Sequence, residues 1–423
     1  MKSIMGKVSN DLSNILTLIF GNSFAALFPI LLAPVLTRIY TEEEFGVYTI
    51  FLAFITILTS FSTGRYDLAI LESKTKIVAK HLAFLAIIIS LIVAGIFLIG
   101  LVFLKIYLPD IKYLIILGDL LFLIPLAILL VSALQIVIYV LNREKEFSQM
   151  AVSKMIRTGS GTITQVVGGV TNLGSFGLVI GKITGDLISL FYGLILICKR
   201  KLFTGIEIRK SRLKYVANRY SKYLRVNSIH AFVNVLTTSA IPLTLGYFFT
   251  ESIVGYYGLS FSVCFLPVTL ISQAFFQIFS REISIRIESN NGAYEYFIQT
   301  SKKLILISGP LFLVLFFFGE FLFMNVFGSN WEKSGSFAEI LSPFLFTSFI
   351  VSPFTFVALR LNKHVFTFKL EIIGAILKIS SILIGAIFFD EIIAITLYSL
   401  SGLLVNTYLF FWIKGLLKSE IDL

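Results

Sequence analysis

Apolar residues in this chain do not recur on one face of short segments. They run on for twenty residues or more and stop at brief charged interruptions. An α-helix rises about 1.5 Å per residue and the hydrocarbon core of a bilayer is about 30 Å thick, so roughly 20 mostly apolar residues suffice for one crossing. Twelve stretches meet that description: Leu12 to Thr37, Gly46 to Gly64, Leu82 to Leu104, Tyr113 to Leu141, Ala151 to Val170, Phe176 to Ile197, Val226 to Phe249, Ile253 to Ser280, Leu304 to Phe327, Phe337 to Leu359, Phe366 to Phe389 and Ile392 to Ile413. The pattern predicts an all-α integral membrane protein with twelve transmembrane helices. The fifth stretch carries Thr158, Ser160, Thr162, Thr164, Gln165 and several glycines, which predicts a helix buried among its neighbours. The first follows two lysines, as a secretion signal would, but its apolar run is too long for a signal core, so a retained helix is expected.

Composition agrees with the pattern. Of 423 residues 57% are hydrophobic and 14% charged, against about a quarter charged in a typical soluble domain. The net charge of +11 could signal nucleic acid, an anionic ligand or membrane topology, and its distribution decides. An even number of spans puts both termini on one side. Of the 35 Lys and Arg residues, 29 fall on that side and four (Arg38, Lys105, Lys112, Lys333) on the other. By the positive-inside rule both termini are expected to be cytoplasmic.

The longest basic segment, Lys199 to Arg225, has six spans on either side and divides the chain into an N-terminal six-helix bundle (1–198), a cytoplasmic linker (199–225) and a C-terminal six-helix bundle (226–423). A short repeat supports the division. TEEEFGVY (Thr41 to Tyr48) and TESIVGYY (Thr250 to Tyr257) share Thr, Glu, Gly and Tyr and stand at the outer entrance of the second span of each half. Two pseudo-symmetric bundles around a central cavity, with alternating access, are the expectation for such repeats. Within the linker, Arg212, Tyr215, Arg219 and Tyr223 have the spacing of an amphipathic helix lying on anionic lipid headgroups, which for a loop between spans outweighs nucleic-acid binding.

Enzyme motifs are missing. The chain has three histidines, no HExxH, no P-loop and no cysteine ligand set, and in GSGTIT Thr164 stands where a third glycine would be needed. Cys198 and Cys264 are not expected to form a disulfide, and no cofactor or metal is expected. Charges inside spans carry more information, because a charged group at a helix centre costs at least about 2.5–3.5 kcal/mol on insertion scales. Lys378 lies near the middle of the eleventh span with Glu371, Gly374, Ser381 and Gly385 on its face. It either faces the cavity as a contact for an anionic headgroup or pairs with an acid elsewhere. Lys182 and Asp186 are four apart on the sixth span and can pair directly, beside a stripe of Gly177, Gly181, Gly185, Ser189 and Gly193 suited to close helix packing. Asp119 and Glu320 lie toward outer helix ends, as proton or sodium sites, partners of a cation, or snorkelling acids. Arg65 and Asp67 mark the inner end of the second span. Asn14, Asn22 and Ser23 in the first span match Asn227, Ser228, His230 and Asn234 in the seventh, either as walls of a cavity that hydrogen-bonds sugar hydroxyls or as interhelical bonds.

Several segments, taken in order, resemble a known family. Gly21 to Arg38 followed by EEEFGVY, GRYDLAIL (Gly64 to Leu71), RYSKYL through Pro242, VGYYGLSFSVCFLPVTLISQAFFQIFSREI (Val254 to Ile283) and FGSNWEKSG (Phe327 to Gly335) together resemble the Wzx-type polysaccharide flippases, which move O-antigen or capsule repeat units. These belong to the superfamily of multidrug and toxin extruders and lipid II flippases. The resemblance implies two six-helix bundles in a bacterial inner membrane and translocation of an undecaprenyl-diphosphate-linked oligosaccharide from the cytoplasmic to the periplasmic leaflet. On that reading Lys378, Arg65 and Lys182 are diphosphate contacts and Asn227, Asn234 and Gln273 sugar contacts. Asp119, Asp186, Glu320 and Glu371 are candidates for charge pairing or for coupling to H+ or Na+. Partners would be the lipid-linked oligosaccharide, anionic lipids and a polysaccharide polymerase or assembly proteins. The alternatives are a proton- or sodium-coupled drug exporter of the same superfamily, which would want acids in its cavity, a lipid II flippase, which would have two more helices, and a membrane-embedded polymerase, which would want a large outer loop.

Overall fold

The computed structural model describes residues 21, 23–289 and 291–419, without the side chains of Pro267, Gln273, Ala274 and His364. Asn14 and Asn22 therefore lie outside the described residues, as does the side chain of Gln273. Among the described residues all regular structure is helical. In chain order the helices are α1 (Ser23–Ile39), α2 (Glu42–Ser62), α3 (Tyr66–Glu72), α4 (Lys76–Tyr107), α5 (Lys112–Arg143), α6 (Phe147–Val170), α7 (Ser175–Lys199), α8 (Lys210–Arg219), α9 (Tyr223–Phe248), α10 (Glu251–Glu288), α11 (Ala293–Phe327), α12 (Ser329–Arg360), α13 (Val365–Phe388) and α14 (Glu391–Ser419). Ten of these are long and apolar enough to cross a membrane, and α1 is a shorter apolar helix. With α1 and the more polar α6, the described part of each of the twelve stretches read from the sequence corresponds to one helix. Large apolar side chains such as Leu31, Ile99, Leu306 and Phe388 stand exposed on them, the inverse of a water-soluble surface.

The two copies of the repeat share a backbone arrangement. Thr41 and Thr250 are extended N-cap residues ahead of α2 and α10, and the following Gly46 and Gly255 are buried. Thr41 also closes a capping box: its hydroxyl accepts the Glu44 N–H at 3.3 Å, and Glu44 Oε2 accepts the Thr41 N–H at 2.9 Å. Thr250 makes no side-chain cap.

The chain divides into two compact units, Met1–Ser239 and Ala240–Leu423, with the boundary inside α9. In the first unit α6 and α7 form the most extensive helix pair. Their glycines explain why. A Cβ at Gly185 would stand 2.4 Å from the Arg157 carbonyl oxygen and 3.0 Å from Gly161 Cα, and one at Gly168 would stand 2.7 Å from Gly177 Cα. Only hydrogen fits where two backbones approach this closely. A core of Tyr66, Ile70, Leu82, Ala86, Ile136 and Val140 extends to Leu202 and Val216, so the basic segment folds against this unit. Lys80 donates to the carbonyls of Phe203, at 3.1 Å, and Ile206, and the Arg209 N–H donates to His81 Nε2 at 3.2 Å. Helix α8 buries Val216 and leaves Lys210, Arg212, Lys214, Tyr215 and Arg219 exposed.

The second unit is built around aromatic packing. Phe354 meets Phe279 and Phe297 at centroid distances of 4.8 and 4.5 Å, and Phe297 meets Phe410 at 5.3 Å. Helix α11 kinks at Phe318 (φ −132°, ψ 17°), and the Glu320 N–H is donated to Glu339 Oε1 of α12 at 3.0 Å. Ser399 and Asn406 of α14 bond α12 through the Ile340 carbonyl, at 2.7 Å, and Ser348 Oγ, at 2.8 Å.

Candidate functional site

Helix α2 ends in a turn whose residues Gly64 and Arg65 both have φ 57°. Gly64 adopts this left-handed conformation freely, whereas for arginine it costs about 1–2 kcal/mol. The turn starts α3 and delivers the Arg65 side chain to a cavity of about 480 Å³ inside the first unit. Its other wall comes from α9. That helix opens with a π-helical turn at Tyr223–Asn227, a feature frequent at functional sites. Asn227, His230, Ala231 and Asn234 follow at the spacing of one helical face, and all four line the cavity with Leu68, Val226 and Val235. Four side chains singled out in the sequence, Arg65, Asn227, His230 and Asn234, are thereby brought together across more than 160 positions of chain.

The charge state of this cavity is unusual for an apolar protein. Arg65 makes no ion pair among the described residues, and its Nε is buried without a hydrogen-bond partner. Asp67, two residues on, is 0% exposed. It accepts a hydrogen bond from Thr63 Oγ1 at 2.8 Å on Oδ1, and its Oδ2 has no partner among the described residues. Burial pushes the Asp67 carboxyl above the usual carboxylate range, and the Thr63 hydrogen bond and the Arg65 charge oppose that rise without cancelling it. A guanidinium left unpaired beside two amides and an imidazole can hold an anion through paired N–H donors, while the amides bond hydroxyls.

Elsewhere in the first unit Lys182 and Asp186 pair on α7, as their spacing predicts, and the structure adds a third member. Arg157 of α6 donates through Nε to Asp186 Oδ1, opposite the Lys182 bond to Oδ2, so one carboxylate with a 2% exposed side chain serves two cations. In the sequence Arg157 is only one of the 29 basic residues on the side of the termini. Its position on the glycine-packed face of α6 is visible only once α6 is placed against α7. Asp119 is an exposed acid, 3.5 Å from Lys105, on a 3-10 turn within α5.

In the second unit Lys378 of α13 is half-buried, its Nζ 5.1 Å from the centroid of Phe344, and it has no acidic partner among the described residues. A cation over an aromatic face gains part of the stabilisation that an acid would supply. Gly374 and Gly385, on the same side of α13, pack on Val405 and Ala394 of α14. Glu371 lies exposed two turns earlier. Glu320 accepts from Ser336 Oγ next to Glu339, an acid that the sequence reading passes over. Glu339 is seven residues from the Glu332 end of its span, and only the kink at Phe318 gives it a task.

The arrangement of long apolar helices recurs in solved transporters. The chain is similar to the lipid II flippase MurJ in an inward closed conformation, with a TM-score of 0.70 and 15% identity over 97% of this chain and 87% of that one. It is also similar to a multidrug resistance MATE family transporter of the MOP superfamily in an outward-facing conformation, with a TM-score of 0.61 and 13% identity over 96% of both chains. A MOP superfamily transporter from Pyrococcus furiosus matches with a TM-score of 0.56 and 13% identity over 96% of both chains. The class is therefore the multi-pass membrane fold that these transporters share. Within that class the chain belongs to the family described as polysaccharide biosynthesis protein, whose model matches residues 35–336. No curated protein sequence matches the chain.

Proposed function

We propose that the chain is a flippase that carries an undecaprenyl-diphosphate-linked oligosaccharide from the cytoplasmic to the periplasmic leaflet of a bacterial inner membrane by alternating access, for cell-surface polysaccharide synthesis. The observation that carries the reading is the cavity of Arg65, Asn227, His230 and Asn234 in a chain of the polysaccharide biosynthesis family. A diphosphate must cross about 30 Å of hydrocarbon, so a partly cationic, amide-lined cavity replaces water around the headgroup while the polyprenyl chain stays in lipid. Arg65 supplies the charge because it makes no ion pair among the described residues, whereas Lys182 is already engaged by Asp186. Lys378, without an acidic partner among the described residues, is the second cation offered to the diphosphate during passage. The exposed basic residues of α8 lie on anionic headgroups of the cytoplasmic leaflet, with both termini on that side.

The test is deletion of the gene followed by measurement of which leaflet holds the lipid-linked oligosaccharide, with complementation by wild type and by Arg65→Ala. Accumulation in the cytoplasmic leaflet, restored by wild type and not by the variant, is the expected result. An unchanged leaflet distribution accompanied by altered drug tolerance would replace this reading with drug export.

A further inference from the structure

One acid in the first unit has no task in the reading above. Asp67 is wholly buried, two residues from the cavity's guanidinium and on the same turn, and half of its carboxylate is unsatisfied. Burying an ionised carboxylate in this way is costly unless a cation answers it. Arg65 is the cation on its own turn. From the packed helices the titratable group that faces it is Tyr139 of α5, and Arg225 of the π-helical turn is close enough to act on the neighbouring Tyr66. Neither tyrosine offers a positive charge, so the ionised form of Asp67 is favoured by the Thr63 hydroxyl and nearby backbone N–H groups and, among charges, by Arg65.

We propose that Asp67 is a proton site linked to the anion cavity: the carboxyl takes up a proton from solvent on Oδ2 when Arg65 engages an anionic headgroup and releases it when the headgroup leaves. The physical basis is competition for one cation. An anion at the guanidinium cancels the part of the field that favours ionised Asp67, so a carboxylate there would be buried facing a second negative charge. Protonation removes both penalties. Linkage makes the effect reciprocal, so a neutral Asp67 leaves Arg65 free for the anion and strengthens binding. The left-handed turn at Gly64 and Arg65 enforces the coupling, because it keeps the guanidinium and the carboxyl on one short rigid connection.

The inference rests on reading the cavity as an anion site, and the experiment separates the two. Full-length protein in detergent is titrated with inorganic sulfate, whose charge is constant across the pH range used, by calorimetry in two buffers of different ionisation enthalpy. Sulfate-induced infrared difference spectra follow the band of a protonated carboxyl. Expected are sulfate binding that is lost in Arg65→Ala, net proton uptake, affinity rising by up to tenfold per pH unit as pH falls, and a gain in the carboxyl band. In Asp67→Asn binding persists with a flat pH profile and no band. Binding that requires Arg65 but takes up no proton in wild type, or takes up the same proton in Asp67→Asn, overturns the proton site and leaves the anion cavity standing. Sulfate binding that is absent, or indifferent to Arg65→Ala, overturns the cavity reading and the proton site with it. The wild-type proton count and infrared band decide the matter even if Asp67→Asn does not fold.

Discussion

Replacing Asp186 by Asn tests whether the shared carboxylate holds α6 against α7. The carboxylate's side chain is 2% exposed, and it answers Arg157 and Lys182, whose side chains are 33% and 22% exposed. At an effective dielectric near 20, two unit charges about 4 Å apart attract by roughly 4 kcal/mol. Asp186→Asn removes two such attractions and leaves two cations facing one another. The desolvation of the carboxylate, no longer incurred, offsets part of this, and breaking buried pairs generally costs about 3–5 kcal/mol. Because both cations keep some exposure, the expected loss is about 3 kcal/mol, the low end of that range. Adding Lys182→Met removes the stranded repulsion, so the double variant is expected to be more stable than Asp186→Asn alone. Thermal and denaturant unfolding of the purified protein in detergent, with Asp186→Asn, Lys182→Met and the double variant, completes the cycle. A change within about 0.5 kcal/mol for Asp186→Asn, the level of an ordinary surface substitution, would refute the reasoning. So would a double variant less stable than the single.

Three further outcomes follow from the same structure. Gly185→Ala places a methyl 2.4 Å from a backbone oxygen of α6 and should cost about 1–3 kcal/mol; Gly159→Ala, with nothing within 4 Å, should be neutral or slightly stabilising, and equal melting temperatures for the two variants would contradict the packing argument. Thr41→Ala loses a capping box and about 1 kcal/mol, while Thr250→Ala, whose side chain caps nothing, loses little; the comparison fails if both shift unfolding alike. Asp67 binds its proton more tightly in the folded chain than in the unfolded one, so its contribution to stability is present below the ordinary carboxylate range and is lost as pH rises through the raised native value. Asp67→Asn should flatten that part of the stability profile, and an unchanged slope would show that another group produces it.

The twelve stretches, and the side of the membrane that their flanking charges favour, are legible in the chain itself because they depend only on run length and local charge. Contacts a turn apart are equally local: the Lys182 and Asp186 pair follows from four-residue spacing, and the capping box from Thr41 and Glu44. What only the tertiary structure decided are encounters between helices far apart in sequence. Arg157 reaches Asp186 because glycines let α6 and α7 approach, Glu339 meets the Glu320 N–H because α11 kinks at Phe318, and Arg65 joins Asn227 and Asn234 because a left-handed turn aims it at α9. Hydropathy specifies that a helix crosses the bilayer but leaves its rotation and its neighbours open, since an apolar helix meets lipid and protein with nearly equal favour. The faces are selected by small residues, kinks and buried charges, whose effect exists only where a second helix stands against them.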